Sequence, residues 1–380
     1  GYLLALIMFL PLMGGLMAYI IPSKSGIIGS IFLSITTILG VYYLTFMQGV
    51  LWTFRFEWLP GYLLGFSVDR SSAILILLVS LISFLVHIFS IFYLSSDNHK
   101  NRYYLKLGFF TFSMLGLLMS DHLILLFIFW ELVGFSSYML IIFWFKNFKN
   151  AKAGRIAFMT NRITDLILYA GLLMLMGSGH DGFISNLGQL TSNVASTSIG
   201  ICLLIGILGK SAQFPFFTWL PRAMAGPVPV SALIHAATMV AAGVYLFFRI
   251  YEVFDTYLLD WIASLGLLTA FLAALIATYQ TDIKAVLAYS TISQLGYMVM
   301  GMGVGANDMA MFHLWTHAFF KAGLFLCIGS VMRYLSIQVS STDVQDMRSM
   351  GGLKSYLPFT FWSYLVCMMA LVGLPFFSGF

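Results

Sequence analysis

Charge is what this sequence has least of. Only 9% of its 380 residues are Asp, Glu, Lys or Arg, against about 25% in soluble domains, while 60% are hydrophobic against roughly 45–50%. A soluble fold of this size could not hide so much apolar surface. Cysteine is also scarce: Cys202, Cys327 and Cys367 lie in separate apolar runs, with no CxxC or Cys/His spacing. Disulfides, iron–sulfur clusters, structural zinc and other resident metals are therefore not expected in this chain. A dinucleotide-binding loop is missing too, because GMGVGA at 301–306 sits between apolar runs, where a strand–loop–helix unit cannot form. The net charge of +5 would suggest nucleic acid in a soluble chain. In a membrane protein an excess of Lys and Arg records topology instead, and no nucleic-acid partner is expected.

What the sequence does have is long apolar runs, with a mean hydropathy of +0.94. At about 20 residues per span, they predict an all-α, polytopic helix bundle in a lipid bilayer. Twelve spans are expected, at 2–21, 27–48, 70–94, 104–120, 122–145, 156–177, 197–218, 228–250, 258–279, 282–304, 309–332 and 357–380. No small-residue cleavage site follows the first, so it does not read as a removable signal. The chain begins at Gly1 without Met and stops at Phe380 inside an apolar run, as a fragment would. Of the 19 Lys and Arg, thirteen fall in connectors on one side, among them Lys24, Lys146, Arg222, Lys284 and Arg348. Only Arg55, Arg70 and Arg249 fall on the other. The asymmetry places the first group on the cytoplasmic or matrix face and the N-terminus outside.

Three cations, Arg162, Lys210 and Lys321, remain within spans. A charge at mid-bilayer costs at least about 2.5–3.5 kcal/mol, which makes each intramembrane ionisable group a functional candidate. Glu131, Asp165, His235, His313 and His317 join them, as does His87, which is expected simply to bond a backbone carbonyl. His313, His317 and Lys321 recur at i, i+4 and i+8, on one helical face with a rise of about 6 Å per step. Such a row suits a proton wire; polar packing is the plainer alternative, and HLWTH lacks the Glu of a metalloprotease helix. Glu131 and Lys210 are the expected opposite-charge pair, either as a switch or as a static tie between helices.

Pro215, Pro221, Pro227 and Pro229 crowd the stretch after Lys210. Proline removes a donor and breaks a helix, and in bilayers broken helices occur where protein or a water-filled cavity satisfies the freed backbone. QFPFF, with Pro215, is echoed five spans later by GLPFF, with Pro375. This predicts an inverted repeat of five-helix units within a single transmembrane domain: N-terminal helices over 1–95, one unit over 104–250 and a second, incomplete unit over 258–380.

The segments FIFWELVGFSSYMLIIFWF, NAKAGRIAFMTNRITD, GKSAQFPFFTWLPRAMAGPVPVSALIHAATMVAAGVYLFFRI, QTDIKAVLAYSTISQLGYM, HLWTHAFFKAGLFL and QDMRSMGGL resemble the antiporter-like membrane subunits of respiratory complex I, the proton-translocating NADH:quinone oxidoreductase. The resemblance covers nearly the whole chain. It implies that Glu131 matches the fifth-helix glutamate that pairs with the seventh-helix lysine, here Lys210. Asp165 matches a sixth-helix aspartate near the input path, and His235 an eighth-helix connecting residue. Lys284 matches a tenth-helix lysine; His313, His317 and Lys321 match the eleventh-helix series. The family's output lysine and long lateral helix would follow Phe380.

By the same resemblance NADH, FMN, iron–sulfur clusters and quinone belong to partner subunits, and this chain holds no cofactor. Its partners would be other membrane-arm subunits, above all a sister antiporter-like subunit. A bacterial inner membrane is expected, with the mitochondrial inner membrane as the alternative location. Arg222 departs from the family's usual acidic residue after WLP, a local difference. Ala242 stands where the large subunit of multisubunit cation/proton antiporters typically has Lys. That related antiporter, and a membrane subunit with a vestigial polar axis, are the alternative functions.

Overall fold

The computed structural model describes residues 2–46, 51–189, 197–338 and 344–380. Helices dominate, since in hydrocarbon every backbone donor and acceptor must be met within the chain. The first six are α1 (Tyr2–Ile20), α2 (Ser25–Phe46), α3 (Arg70–Tyr93), α4 (Lys100–Met119), α5 (Leu123–Ile141) and α6 (Phe148–Gly177). After them come α7 (Thr197–Lys210), the single-turn α8 (Trp219–Arg222), α9 (Val228–Ala236) and α10 (Met239–Arg249). The last four are α11 (Thr256–Thr278), α12 (Ile283–Gly303), α13 (Asn307–Gln338) and α14 (Pro358–Val372). Polar residues at the membrane boundaries start several of them. Asp69 caps α3 in a reciprocal box with Ser72, and Asn147, Asp255 and Asp282 accept from the first-turn amides of α6, α11 and α12.

Among the described residues eight helical stretches are long and apolar enough to cross a membrane, with α9 and α10 counted as one. The other expected spans meet α4, α7, α12 and α14; α7 and α14 are shorter apolar helices. The last two residues of the expected span 27–48 lie outside the described residues. Several boundaries differ from expectation. The span 156–177 begins two turns earlier, so Lys149, Lys152 and Arg155 ride on α6, and Lys106 likewise lies within α4, donating to the Met139 carbonyl at 2.9 Å. The span 357–380 stops as a helix at Val372, where Gly373 takes the left-handed φ of 74° that lacks steric penalty only for glycine.

An all-α bundle needs one correction. Between α2 and α3 an antiparallel hairpin pairs β1 (Trp52–Leu59) with β2 (Tyr62–Val68), from Trp52 opposite Val68 to Leu59 opposite Tyr62. WTFRFEWL alternates aromatic or aliphatic with polar residues, the period of a strand. Pro60 and Gly61, the latter at φ 80°, turn the chain between the strands.

The core lies where α3, α4, α5, α9, α10, α12 and α13 meet. Trp130, Trp219, Tyr103, Tyr104 and Tyr245 are among its largest fully buried side chains. The apolar window of α9–α10 is wholly enclosed, whereas α1, α2 and α11 expose rows of aliphatic and aromatic side chains outward. The enclosed pair thus runs through the middle of the bundle, against the helices that carry the intramembrane charges.

Candidate functional site

The site is built at the end of α7. That helix stops at Lys210, the chain turns through residues 211–218, and the short α8 follows, so the expected break falls immediately after the lysine. Lys210 is completely buried, and its Nζ donates to Asp165 Oδ2 on α6 at 3.0 Å. Gly134 on α5 makes room for the ammonium, since a Cβ there would stand 3.3 Å from Nζ. One turn earlier on the same face of α5, Trp130 donates from Nε1 to Asp165 Oδ1 at 2.6 Å and presents its ring 4.8 Å from Lys210 Nζ. The carboxylate is held by a cation on one oxygen and a neutral donor on the other, and the cation also lies over an aromatic face.

This corrects the expected pairing. Glu131 is not the ion-pair partner of Lys210; it pairs with Arg162 on α6, and Asp165 takes the lysine. Glu131 and Asp165 face each other from adjacent helices, and rotation of α6 rather than spacing decides which reaches Lys210. Arg162, one turn before Asp165, thereby gains a partner. Its side chain is 41% exposed on the lateral surface, and Glu131 sits between it and the interior. Trp130 escaped the sequence reading because its only signal is adjacency to Glu131 in a chain that is 17% aromatic.

Further buried polar groups lie on α9 and α13. His235 lies in the last turn of α9, which ends where Thr238 Oγ1 donates back to the Leu233 carbonyl at 2.7 Å. The expected continuous span 228–250 is thus interrupted at Ala237 and Thr238, without proline or glycine. The His235 ring packs 5.0 Å from Phe325 of α13, one turn beyond Lys321. His317 and Lys321 are fully buried on α13, and His313 is half-buried. Lys321 donates to Ser290 Oγ at 2.6 Å and to the Leu287 carbonyl at 3.3 Å, both on α12, while His313 Nε2 meets Gln294 Oε1 at 2.6 Å. Both ring nitrogens of His235 and of His317 are buried without a protein hydrogen bond, although His317 lies near the Ala236 carbonyl. Buried imidazoles in that state call for bridging water.

Lys284 stands apart. Its buried Nζ donates to the carbonyls of Met224 and Gly226, both at 3.1 Å, closing the turn after α8. His87 donates to the Ser83 carbonyl at 2.8 Å, as a helix-packed histidine should. Pro215 lies in the break after α7, and Pro375 follows the end of α14 by three residues. At the opposite end of the bundle from Lys284, Arg249 reaches Asp69 at 3.6 Å and the fully buried Asp121 at 3.7 Å. It also donates to the Tyr245 hydroxyl at 3.1 Å. Asp121 accepts in turn from the amide and hydroxyl of Ser185. Among the described residues no three His, Cys, Asp or Glu side chains are grouped to hold a metal ion.

The profile described as NADH:quinone oxidoreductase/Mrp antiporter, TM, matches residues 120–380, and that of the NADH-ubiquinone oxidoreductase (complex I) chain 5 N-terminus matches residues 62–104. The chain is 46% identical over 332 residues to NAD(P)H-quinone oxidoreductase chain 5 of a Synechocystis species, covering 83% of this chain and 48% of that protein. It is 43% identical over 365 residues to NADH-quinone oxidoreductase subunit L of Campylobacter jejuni, covering 93% of this chain and 59% of that one. Among solved structures, the Mrp complex from a Dietzia species superposes with a TM-score of 0.87 at 30% identity, over 100% of this chain and 42% of that one. The chain spans about half the length of the curated relatives it matches. It belongs to the NADH:quinone oxidoreductase/Mrp antiporter family of membrane proteins.

Proposed function

We propose that the chain is a proton-translocating part of the membrane arm of an NADH:quinone oxidoreductase. The observation that carries this reading is the buried Lys210–Asp165 pair at a helix break, together with the fully buried His235, His317 and Lys321 on α9 and α13. A static core has no need of so many buried ionisable groups, each of which opposes insertion. Proton uptake begins from the Lys/Arg-rich face near Glu131 and Asp165. Lys210 binds and releases the proton as its carboxylate partner is held or neutralised, and the histidines with Lys321 carry it along the mid-membrane axis. His313 continues the row, and Lys284 serves on the uptake side of the second unit. Coupling is electrostatic, each protonation changing the next group's affinity.

In this reading the oxidation of NADH, with its FMN, iron–sulfur clusters and quinone, belongs to partner subunits, among them a sister antiporter-like subunit. Twelve spans, an N-terminus on the outer face and two inverted five-helix units complete it; α7 and α14, which both stop short of a full span, support the repeat. A bacterial inner membrane is the proposed location. The relatives' names, oxidoreductase chain 5 and subunit L, favour this reading over a stand-alone cation/proton antiporter, and Ala242, fully buried on α10, offers no cation there. Lys210→Ala in the assembled complex tests it. NADH oxidation should continue while proton translocation into vesicles is lost, and undiminished translocation overturns the assignment. Sodium-dependent transport without NADH would instead support the antiporter.

A further inference from the structure

Between α5 and α6 lies a cavity of about 10 Å³, lined in part by Glu131, Ser137, Asn161, Arg162 and Asp165. That is the space one water molecule occupies. Two buried oxygens on the lining residues have no donor: Glu131 Oε1 and Asn161 Oδ1. Neither can turn away to find one. Glu131 is anchored through Oε2 to Arg162, and Asn161 donates from Nδ2 to the Ala157 carbonyl at 2.9 Å, which fixes its amide with Oδ1 on the other side. Buried acceptors left unpaired are rare in folded proteins, and ordered water is the usual partner. A single water has two hydrogens to give, matching the two acceptors.

We propose that this cavity binds one water, which donates to Glu131 Oε1 and Asn161 Oδ1 and relays protons to Glu131. Ser137, Tyr138 and Ala157 also line the cavity, and they lie nearer the Lys/Arg-rich ends of α5 and α6 than Glu131 does. A proton arriving from that side forms an O–H bond on the water oxygen. The O–H already directed at Glu131 breaks, its hydrogen passes to Oε1, and the water is regenerated. Asn161 is a positioning residue: it holds the second hydrogen so that the first points at the carboxylate. The cavity also borders Asp165, so the same water stands between the Glu131–Arg162 and Asp165–Lys210 pairs.

The relay rests on the proton-translocating reading, whereas the water site stands on geometry alone, and the experiment separates them. The intact membrane complex containing this chain is imaged by electron cryomicroscopy at a resolution that shows waters, as wild type and as Asn161→Leu, Asn161→Ser and Lys210→Ala. Translocation per NADH is measured on the same preparations. Expected are density within hydrogen-bond reach of both oxygens in the wild type, its loss in Asn161→Leu with at least a threefold drop in translocation per NADH, and near-normal behaviour of Asn161→Ser, whose hydroxyl keeps the site wet. Wild-type density that is absent, or a protein donor on either oxygen, overturns the site. A dry Asn161→Leu that translocates normally overturns the relay. Should Asn161→Leu not assemble, the wild type and Asn161→Ser still decide. Normal translocation by Lys210→Ala sinks the underlying reading and the relay while leaving the water site standing.

Discussion

The indole of Trp130 and the carboxylate of Asp165 are joined by a 2.6 Å hydrogen bond across α5 and α6, on the oxygen that Lys210 does not use. The bond fixes the orientation of the carboxylate and so decides which oxygen the lysine meets. Trp130→Phe keeps an aromatic ring near Lys210 but deletes the donor and shortens the buried side chain. Leaving Asp165 Oδ1 short of a partner should cost about 1–3 kcal/mol and reduce translocation several-fold, with NADH oxidation retained. Paired vesicle-acidification and oxidation assays on the assembled complex check this, and equal translocation would show the bond to be incidental.

Removing one partner of the buried pair should be worse than removing both. Asp165→Asn leaves Lys210 without its carboxylate, a loss of about 3–5 kcal/mol for a buried ion pair, and should lower the amount of assembled complex. The double substitution Asp165→Leu with Lys210→Met should recover assembly, because apolar replacements of a buried pair are close to neutral, yet remain unable to translocate. Native gel electrophoresis read against activity checks both halves.

Arg249 ties together the start of α3 through Asp69, the α4–α5 connector through Asp121, and the end of α10. Arg249→Ala strands a fully buried Asp121, so a loss in the range of about 3–5 kcal/mol is expected. The 183–186 segment, held to Asp121 through Ile184 and Ser185, should open first. Protease sensitivity of that segment, compared with wild type, tests the order of loss.

Asp346 lies outside the spans, where side-chain and backbone hydrogen bonds from Arg348, with its charge, hold the carboxyl below its ordinary value of 3.8. A depressed carboxyl contributes in full above the unfolded value and loses its contribution as pH falls through the folded one. The pairing of this segment with the start of α12, through Ile283 to Gln345 and Met347 to Thr281, should therefore be constant near neutrality and loosen only below about pH 3.8. Hydrogen exchange at the Ile283 and Met347 amides reads it out. Asp346→Asn should flatten the dependence.

The burial of Lys210, Asp165, His235, His317 and Lys321 was legible in the sequence because a charge or imidazole inside an apolar run is conspicuous wherever the run is taken to end. The break after Lys210 was legible from its prolines. Pairing was not: whether Glu131 or Asp165 reaches Lys210 depends on how α5 and α6 are rotated against α7, which linear spacing does not record. The interruption at Thr238 carries no breaker residue; it coincides with a threonine hydroxyl that donates to the Leu233 carbonyl five residues back. The hairpin did leave a signal, the alternation of WTFRFEWL, but a short polar-patterned stretch between spans reads as a connector when helix-length runs are being sought.

The interruptions also leave an electrical imprint on the bundle. With 14, 9 and 15 residues, α7, α9 and α14 are roughly 21, 14 and 23 Å long, all short of an apolar layer about 30 Å thick. Each C-terminus therefore delivers the partial negative end of a peptide dipole, near half an elementary charge, into a region where little solvent screens it. Lys210 sits at the end of α7 and His235 in the last turn of α9. Both groups therefore sit in backbone carbonyl fields that replacing a neighbouring side chain leaves in place.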